Sequence, residues 1–243
     1  MTSGVQIFKD IKKILVIKFR HIGDVLLTVP AIRALKETFP GVSISAIVNS
    51  GTEEVLTGNA VIDEVIVFDR AVKSLPLALK YVKEIEFIRG IRLRRFDMTV
   101  DLTGGDRAAI VSFFSGARYR LALNPGKKGF LSKRFLYTHL ADIDKQKHMV
   151  LQNLDVVKNF GITTEDTDVD FFIPEEVRDS VRRTLEKNGI TKKDKIVHLH
   201  PTSRWLFKCW KDEYMADVIE WLIEQGIRVI MTSAPDGKEM EKA

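Results

Sequence analysis

Residues 18–40 read KFRHIGDVLLTVPAIRALKETFP and pass from the end of an apolar strand into a helix. Gly23 and Asp24 occupy the joint. Free N–H groups at a helix start attract anions, and nucleotide-binding folds use them to hold phosphate. This joint has one glycine and a carboxylate that would repel phosphate, and it matches neither G-x-G-x-x-G nor G-x-x-x-x-G-K-[ST]. The stretch therefore predicts the first strand–helix unit of an α/β fold without a phosphate loop at this joint.

The same alternation continues on the C-terminal side of this joint. Strand patterns cover 14–19, 44–48, 64–68 and 98–102, and helical patterns cover 28–39, 75–90, 106–115 and about 146–160. Continuous apolar strands that alternate with helices predict a parallel sheet covered on both faces. A second, shorter series follows an exposed linker with one short strand at 162–176. It comprises helices at 175–188 and 212–225 and strands at 195–200 and 227–232. We therefore predict two Rossmann-like domains, 1–170 and 175–243, which face a crevice, and we expect the second to be incomplete.

The composition is that of an ordinary globular protein, with 243 residues, 45% hydrophobic and 29% charged. No apolar run reaches the roughly 18 residues of a membrane helix, and the N-terminus lacks a signal-peptide layout. The single cysteine, Cys209, excludes an internal disulfide framework. We expect a cytoplasmic protein.

Positive charge is concentrated in one segment. Residues 89–134 contain eleven Lys or Arg against three Asp, a balance of +8 in a chain whose net charge is +5. The segment is either a solvated basic face or a docking surface for an anionic partner. Nucleic acid, an acidic membrane surface and a phosphorylated substrate all fit that charge.

Asp24 has two interpretations on residue chemistry alone. It can cap a helix and interact with the helix dipole, a contribution of about 1 kcal/mol. Pro30 would clash with the carbonyl of Leu26 in a helix that begins at Asp24. The helix then either kinks or begins later, with Thr28 as its cap, and in the second case Asp24 lies in a loop and faces the crevice as a catalytic group.

A second polar group follows a strand of the second domain, in LHPTSRWLFKCW at 199–210. Strand ends of open α/β sheets line ligand crevices. The hydroxyls of Thr202 and Ser203 and the ammonium of Lys208 suit a phosphate group. The alternative is a polar loop packed over Trp205 and Trp210.

Metal-binding patterns are weak in this sequence. Asp-x-Asp occurs at 142–144, before a helix, and at 168–170, where a linker strand would put both carboxylates on one solvated face. The five histidines show no zinc spacing with cysteine, and we expect no metal.

Taken together, HIGDVLLTVPAIRALKETFP (21–40) and HPTSRWLFKCW (200–210) resemble the two signatures of the bacterial lipopolysaccharide heptosyltransferases. These are inverting glycosyltransferases of family 9 with the GT-B fold. VDLTGGDR (100–107) and TSAPDGKEME (232–241) also fit, and the FKCW form is most similar to the heptosyltransferase III subgroup. The resemblance covers almost the whole chain.

The resemblance implies roles for individual residues. Asp24 would be the general base in an acceptor domain, and Thr202, Ser203 and Lys208 would bind the donor, ADP-L-glycero-D-manno-heptose. Glu239 would bind the donor ribose. We assign Gly23, Arg120, Lys127 and Lys128 to the acceptor side, where a phosphorylated lipopolysaccharide core would bind. No cofactor or metal is expected, and the basic segment would contact the anionic inner face of the bacterial inner membrane.

The sequence departs from the family at one point, because the family's later Asp-x-Gly-x-x-His motif is not present. A non-catalytic nucleotide-sugar-binding module is therefore the first alternative. A nucleic-acid-binding α/β protein is the second, but no RRM, KH or helix-turn-helix signature supports it.

Overall fold

The computed structural model describes residues 7–125, 133–203, 205–235 and 237–242. It divides into two compact units, Met1–Ile173 and Pro174–Ala243. No helix in these described ranges is long and apolar enough to cross a membrane.

The first unit is built on a six-stranded sheet in which every strand pair is parallel. Its strands are β1 (Lys13–Lys18), β2 (Ser43–Asn49), β3 (Glu64–Phe68), β4 (Met98–Asp101), β5 (Tyr119–Leu123) and β6 (His139–Ala141). They lie in the order β3-β2-β1-β4-β5-β6. The order reverses direction between β1 and β4, and open α/β sheets bind ligands at such a reversal. The prediction of a parallel α/β sheet is confirmed, although β5 and the three-residue β6 were not predicted.

Helices cover both faces of this sheet. They are α1 (Ile22–Leu26), α2 (Val29–Thr38), α3 (Leu77–Leu93), α4 (Asp106–Phe114) and α5 (Met149–Lys158). Strand β1 shows why both faces must be covered, since Ile14 and Val16 pack with α2 and α5 while Leu15 and Ile17 pack with α3 and α4. A strand with apolar side chains on both faces is stable only between two layers of helices.

The chain after β1 forms two helices, and this corrects the local structure that both interpretations expected at Asp24. His21 precedes α1 as its N-cap, so Asp24 is not the cap, and it lies in the first turn of α1 rather than in a loop. Helix α2 begins after Thr28 with Pro30 in its first turn, as the later-start alternative predicted. The Thr28 hydroxyl donates to the Val25 carbonyl at 2.6 Å and does not cap α2.

The second unit is small. It comprises α6 (Glu175–Lys187), β7 (Ile196–Leu199), α7 (Asp212–Glu224), β8 (Arg228–Met231) and α8 (Gly237–Lys242). The sheet that the structure describes there has two parallel strands, β7 and β8. Among its described residues, Leu222 is the one buried hydrophobic side chain. A two-stranded sheet is marginally stable on its own, so this unit has little core to support it.

The segment 162–173 differs from the predicted strand. It has no regular secondary structure, but the buried side chain of Arg33 holds it against the rest of the first unit. The Arg33 guanidinium donates to the carbonyls of Asp166 and Asp168, both at 2.9 Å, and to the Asp170 carboxylate. Asp168 and Asp170 are both exposed, and the Asp170 carboxylate is in addition paired with the buried Arg33.

A glycine lets the far end of this segment approach the first unit closely. Gly58 has φ +77, and a Cβ there would lie 2.3 Å from Cδ1 of Phe172. Asn59 donates to the Asp170 carbonyl at 3.3 Å beside it. The segment is thus attached at two places, Arg33 and the Gly58–Asn59 turn.

A buried lysine joins four elements at the carboxyl end of β1. Lys18 is 4% exposed, and its Nζ donates to the Leu102 carbonyl at 2.7 Å and to Oδ1 of Asn153 at 3.0 Å. Asn153 lies in α5, and its Nδ2 donates to the Leu27 carbonyl at the end of α1 at 2.8 Å. Burial lowers the pKa of Lys18 from 10.5 to about 8, although the carboxylates of Asp24 and Asp101 oppose this effect. Buried ammonium groups need such partners, because an unpaired one is strongly disfavoured.

We predict that Arg33→Met releases the segment 162–173. The variant loses charge-assisted hydrogen bonds worth about 2 kcal/mol, which corresponds to about 30-fold faster cleavage of a locally opened segment. Glutamyl endopeptidase cleavage after Glu165, an exposed residue in the segment, measures this. Lys83→Met is the control, since it removes an exposed pair with Glu86 of the kind that contributes little. Equal cleavage rates in the two variants would contradict the role of Arg33.

We also predict a pH dependence of stability that arises from Lys18. Between pH 8 and 10.5 the unfolded chain retains the Lys18 proton while the folded chain has lost it. The free energy of unfolding should therefore rise with pH across this window, by on the order of 3 kcal/mol, and Lys18→Met should not show this rise. Urea unfolding followed by circular dichroism is suitable, because all three tryptophans lie in the second unit and would not report on the first. A constant difference between wild type and Lys18→Met over this window would contradict the assignment.

Candidate functional site

A cavity of about 310 Å³ opens at the carboxyl edge of the first unit's sheet, where the strand order reverses. Lys18 at the end of β1, Leu102 and Thr103 after β4, and Leu123 at the end of β5 contribute to it. Helix α5 supplies one wall and α1 supplies Asp24. The remaining lining residues are Arg20, Ile143, Met149, Gln152, Asn153 and Val156.

The Asp24 carboxylate is the acidic group of this cavity. Asp24 is half-buried in the first turn of α1, and its neighbour Val25 is fully buried, so the turn is anchored by its apolar side. No residue within the described ranges forms a hydrogen bond or ion pair with the carboxylate. A carboxylate that lies in a cavity and is not hydrogen-bonded can accept a proton from a bound hydroxyl.

Two cations balance this carboxylate. Lys18 and Arg20 line the same cavity, and the charge of Asp24 raises the pKa of Lys18 against the larger lowering by burial. The Lys18 ammonium has three donors and uses two of them on Leu102 and Asn153. Lys18 and Asn153 were not predicted as residues of the site. A lysine at the end of the apolar run ILVIK was the available signal for the first, whereas Asn153 had none.

The turn after β4 forms the cavity's neighbouring wall and rests on a buried acid. Asp101 is fully buried and accepts hydrogen bonds from the Thr103 N–H at 2.7 Å, the Gly104 N–H at 3.1 Å and the Tyr137 hydroxyl. Burial raises the pKa of Asp101 and also that of Tyr137. The Thr103 hydroxyl accepts from the Phe19 N–H at 2.9 Å, which fixes the end of β1 beside β4. Asp101 therefore does not line the cavity, but it fixes the conformation of the turn that contains the lining residue Thr103.

The residues assigned to the acceptor side do not all lie together. Gly23 is exposed in α1 next to Asp24, and a Cβ there would contact nothing, so the fold itself does not require glycine. Arg120 does not line the cavity. It lies near the amino end of β5, and its guanidinium donates to the carbonyls of Ala117 and Leu136, both at 2.8 Å. Lys127 and Lys128 lie outside the described residues.

The residues assigned to the donor side lie in the second unit. The Thr202 hydroxyl, after β7, donates to Oε2 of Glu239, in α8 after β8, at 2.9 Å, and both residues are buried. Ser203 lies beside Thr202 and accepts weakly from the Trp205 N–H at 3.5 Å. Lys208 ends a short 3₁₀ helix, Leu206–Lys208, with its Nζ 6.0 Å from the Phe207 ring centroid. The structure thus joins Thr202 to Glu239 and records no direct contact of Lys208 with them.

The described residues contain no cluster of three or more His, Cys, Asp or Glu that could hold a metal ion. Asp142 accepts from Nδ2 of Asn124 at 2.7 Å, and Asp144 accepts from the Gln146 N–H at 2.9 Å in a turn before α5. His198, in β7, and His200, just after it, both contact the hydroxyl of Thr232. The expectation that no metal is needed stays a prediction.

Comparison with known proteins relates the chain to one family. Residues 85–243 match glycosyltransferase family 9 (heptosyltransferase). Lipopolysaccharide heptosyltransferase 3 of Escherichia coli K12 is 30% identical over 223 residues, which are 91% of this chain and 63% of that protein. The chain therefore spans about 63% of the length of this relative.

Solved structures support the fold. A family 9 glycosyltransferase from Veillonella parvula superposes with a TM-score of 0.82 at 23% identity and covers 95% of this chain and 65% of that one. The E. coli ADP-heptose lipopolysaccharide heptosyltransferase II superposes with a TM-score of 0.74 at 18% identity and covers 95% and 67%. These likenesses confirm the GT-B-like α/β fold that was predicted from the sequence. With the family match over residues 85–243, they lead to one conclusion: the chain belongs to glycosyltransferase family 9, the heptosyltransferases.

Proposed function

We propose that this protein transfers heptose from ADP-L-glycero-D-manno-heptose to a phosphorylated lipopolysaccharide inner core, with inversion at the anomeric carbon. The observation that carries the proposal is Asp24, whose carboxylate lies in the carboxyl-edge cavity without a hydrogen bond from the described residues. Membership of family 9 and the similarity to proteins named heptosyltransferases support a sugar transfer. The cavity combines the Asp24 carboxylate with the cations of Lys18 and Arg20, and this mixed set of charges suits a polar acceptor sugar.

In the proposed reaction, Asp24 accepts the proton of the attacking acceptor hydroxyl as its oxygen bonds to the anomeric carbon. The bond from that carbon to the ADP phosphate oxygen breaks in the same displacement, and no covalent enzyme intermediate forms. Lys18 and Arg20 line the same cavity and place two cations near the carboxylate and the bound acceptor. Gly23 leaves open space beside the carboxylate, which lets a ligand approach the backbone closely.

The departing ADP carries growing negative charge, and we assign its stabilisation to the second unit. Lys208 supplies an ammonium, and Thr202 and Ser203 supply hydroxyls after β7. Glu239 is assigned to the donor ribose, and its contact with Thr202 connects the two parts of that subsite. Cationic side chains take the place of a divalent ion in this proposal, so no cofactor is required.

We further propose that the protein acts in the bacterial cytoplasm, at the inner face of the inner membrane. A lipopolysaccharide acceptor is a glycolipid, and the +8 segment 89–134 suits contact with an anionic membrane. The alternative of nucleic-acid binding gains no support from the family. The alternative of a non-catalytic nucleotide-sugar-binding module predicts donor affinity without transfer, which the experiments below separate.

We expect Asp24→Asn to abolish most transfer without loss of stability. Asparagine cannot accept the hydroxyl proton, and general-base catalysis contributes on the order of 10²–10⁴-fold in rate. The melting temperature and the affinity for ADP-heptose should hold, because Asp24 is not the N-cap of α1. Glu175→Gln is the control, since Glu175 also lies in the first turn of a helix, is exposed and does not line the cavity. Equal transfer rates in the two variants would exclude Asp24 as the base.

We expect Lys208→Ala to weaken ADP-heptose binding. A charge-assisted contact of about 1.5–3 kcal/mol corresponds to roughly 10–100-fold in affinity. Isothermal titration with ADP-heptose measures this, with Lys211→Ala as a control for loss of a nearby lysine that lies 5.2 Å from the Tyr214 ring. Unchanged donor affinity would remove Lys208 from the donor site.

EDTA should leave transfer unchanged, whereas a strict requirement for a divalent ion would overturn the metal-free proposal.

A further inference from the structure

Four arginines line a second cavity, of about 590 Å³, at the amino edge of the first unit's sheet. Arg89 and Arg92 lie in the last turns of α3, Arg95 lies in the turn that follows, and Arg118 directly precedes β5. The cavity adjoins the first residues of β4 and β5, whereas Asp24 lies beyond their last residues. It is therefore separate from the candidate acceptor site.

The charge of this cavity is not balanced within the described part of the chain. No ion pair with a carboxylate is recorded there for any of the four arginines, although Arg33, Arg94 and Arg107 in the same unit each have one. Asp97 lines the cavity, but its Oδ2 is used by the N–H groups of Lys12 at 2.8 Å and Lys13 at 2.9 Å. Like charges held around one space repel, and a bound anion relieves that repulsion.

The backbone at Arg95 also indicates a role for its side chain. Arg95 has φ 55, in the left-handed region that glycine adopts without steric conflict and an arginine adopts rarely. The turn is held by the Arg95 N–H, which donates to the Arg92 carbonyl at 3.2 Å. A glycine would satisfy the backbone better there, so the presence of arginine favours a use for its guanidinium.

Exposed apolar side chains lie next to the arginines. Helix α3 turns Phe87 and Ile91 toward the core and leaves Leu79, Val82 and Ile85 at least half exposed on its outer side. Leu93, which is 71% exposed, lines the cavity itself. A soluble phosphate would leave these side chains in water, whereas a lipid surface takes both the apolar groups and the cations.

We propose that Arg89, Arg92, Arg95 and Arg118 bind the phosphate groups of anionic phospholipids, and that the outer side of α3 rests in the membrane interface. Guanidinium groups suit phosphate because their donors form paired hydrogen bonds with its oxygens. The proposal deepens the membrane contact within the proposed function and rests on it. It identifies the part of the basic segment that binds lipid as the end of α3 and the turn before β5.

Sedimentation with vesicles tests the proposal. One vesicle contains phosphatidylcholine alone, and the other contains equal parts of phosphatidylcholine and phosphatidylglycerol. We expect binding to the anionic vesicle that weakens as salt increases. Arg92→Gln combined with Arg118→Gln should lower the partition coefficient at least about 10-fold, since each basic residue near the surface contributes about fivefold. The control combines Arg178→Gln with Arg183→Gln in α6, where both arginines are exposed, and removes the same charge.

Additional measurements distinguish binding to a lipid surface from binding to soluble phosphate or to RNA. Val82→Asn should also weaken vesicle binding, because it removes an apolar group from the outer side of α3. If Val82→Asn has no effect and inorganic phosphate displaces the vesicles, the cavity is a soluble-phosphate site and the proposal fails. An equal loss of vesicle binding in the two double variants would also overturn the proposal. So would binding to RNA that is as tight as binding to anionic vesicles at the same salt concentration.

Transfer to a delipidated, water-soluble acceptor separates this proposal from the proposed function. The cavity variant Arg92→Gln/Arg118→Gln should retain that transfer, whereas Asp24→Asn should lose it and keep vesicle binding. If Asp24→Asn retains transfer while the cavity variant loses vesicle binding, the catalytic assignment fails and lipid binding stands.

Discussion

The buried ammonium of Lys18 is the constraint on which the arrangement of the first unit depends. A cation that is 4% exposed must find acceptors and opposite charge within the protein. It finds them in the Leu102 carbonyl and in Asn153, and the charges of Asp24 and Asp101 act on it as well. These partners come from β4, α5 and α1, so one side chain orders three elements around the end of β1. The hydrogen bond between Lys18 and Asn153 stabilises the buried ammonium, and the same two residues line the cavity in which Asp24 lies.

The two edges of the sheet have different chemistry for a topological reason. In a parallel sheet all strands end at the same edge, and the reversal of order between β1 and β4 leaves a gap there for a ligand. At that edge the structure places Asp24 with Lys18 and Arg20, a mixed set of charges suited to a polar sugar. At the amino edge it places four arginines around one space, a set suited to an anion. A sheet with this topology can therefore present two ligand surfaces that do not compete with each other.

The second unit depends on less packing than the first. Its two described strands and single buried hydrophobic residue contrast with the fully covered six-stranded sheet. Its polar contacts include that of Thr202 with Glu239, which joins the residues after β7 to α8. The segment before it is not a loose linker, because buried Arg33 and the Gly58 turn attach it to the first unit as far as Phe172. An arginine fixes the carbonyls of an irregular segment well, since its five donors meet several acceptors at once.

Local sequence patterns predicted most of the strands and helices and their order along the chain. Apolar runs and helical periodicities are local signals, so β1, β2, β3 and the helices α3 to α7 lie close to where those patterns predicted them. The Gly-Asp joint and the Thr-Ser-x₄-Lys loop were recognisable for the same reason, because each is contiguous in the chain. Only the tertiary structure decided that Asp24 lies inside a short helix, because the competition between Pro30 and the cap preference depends on how Val25 and Val29 pack. Only the tertiary structure paired Lys18 with Asn153, Arg33 with Asp170, and the end of α3 with Arg118. Such pairs join residues far apart in the chain, and their proximity follows from the sheet order and the packing of the helices, which no local pattern specifies.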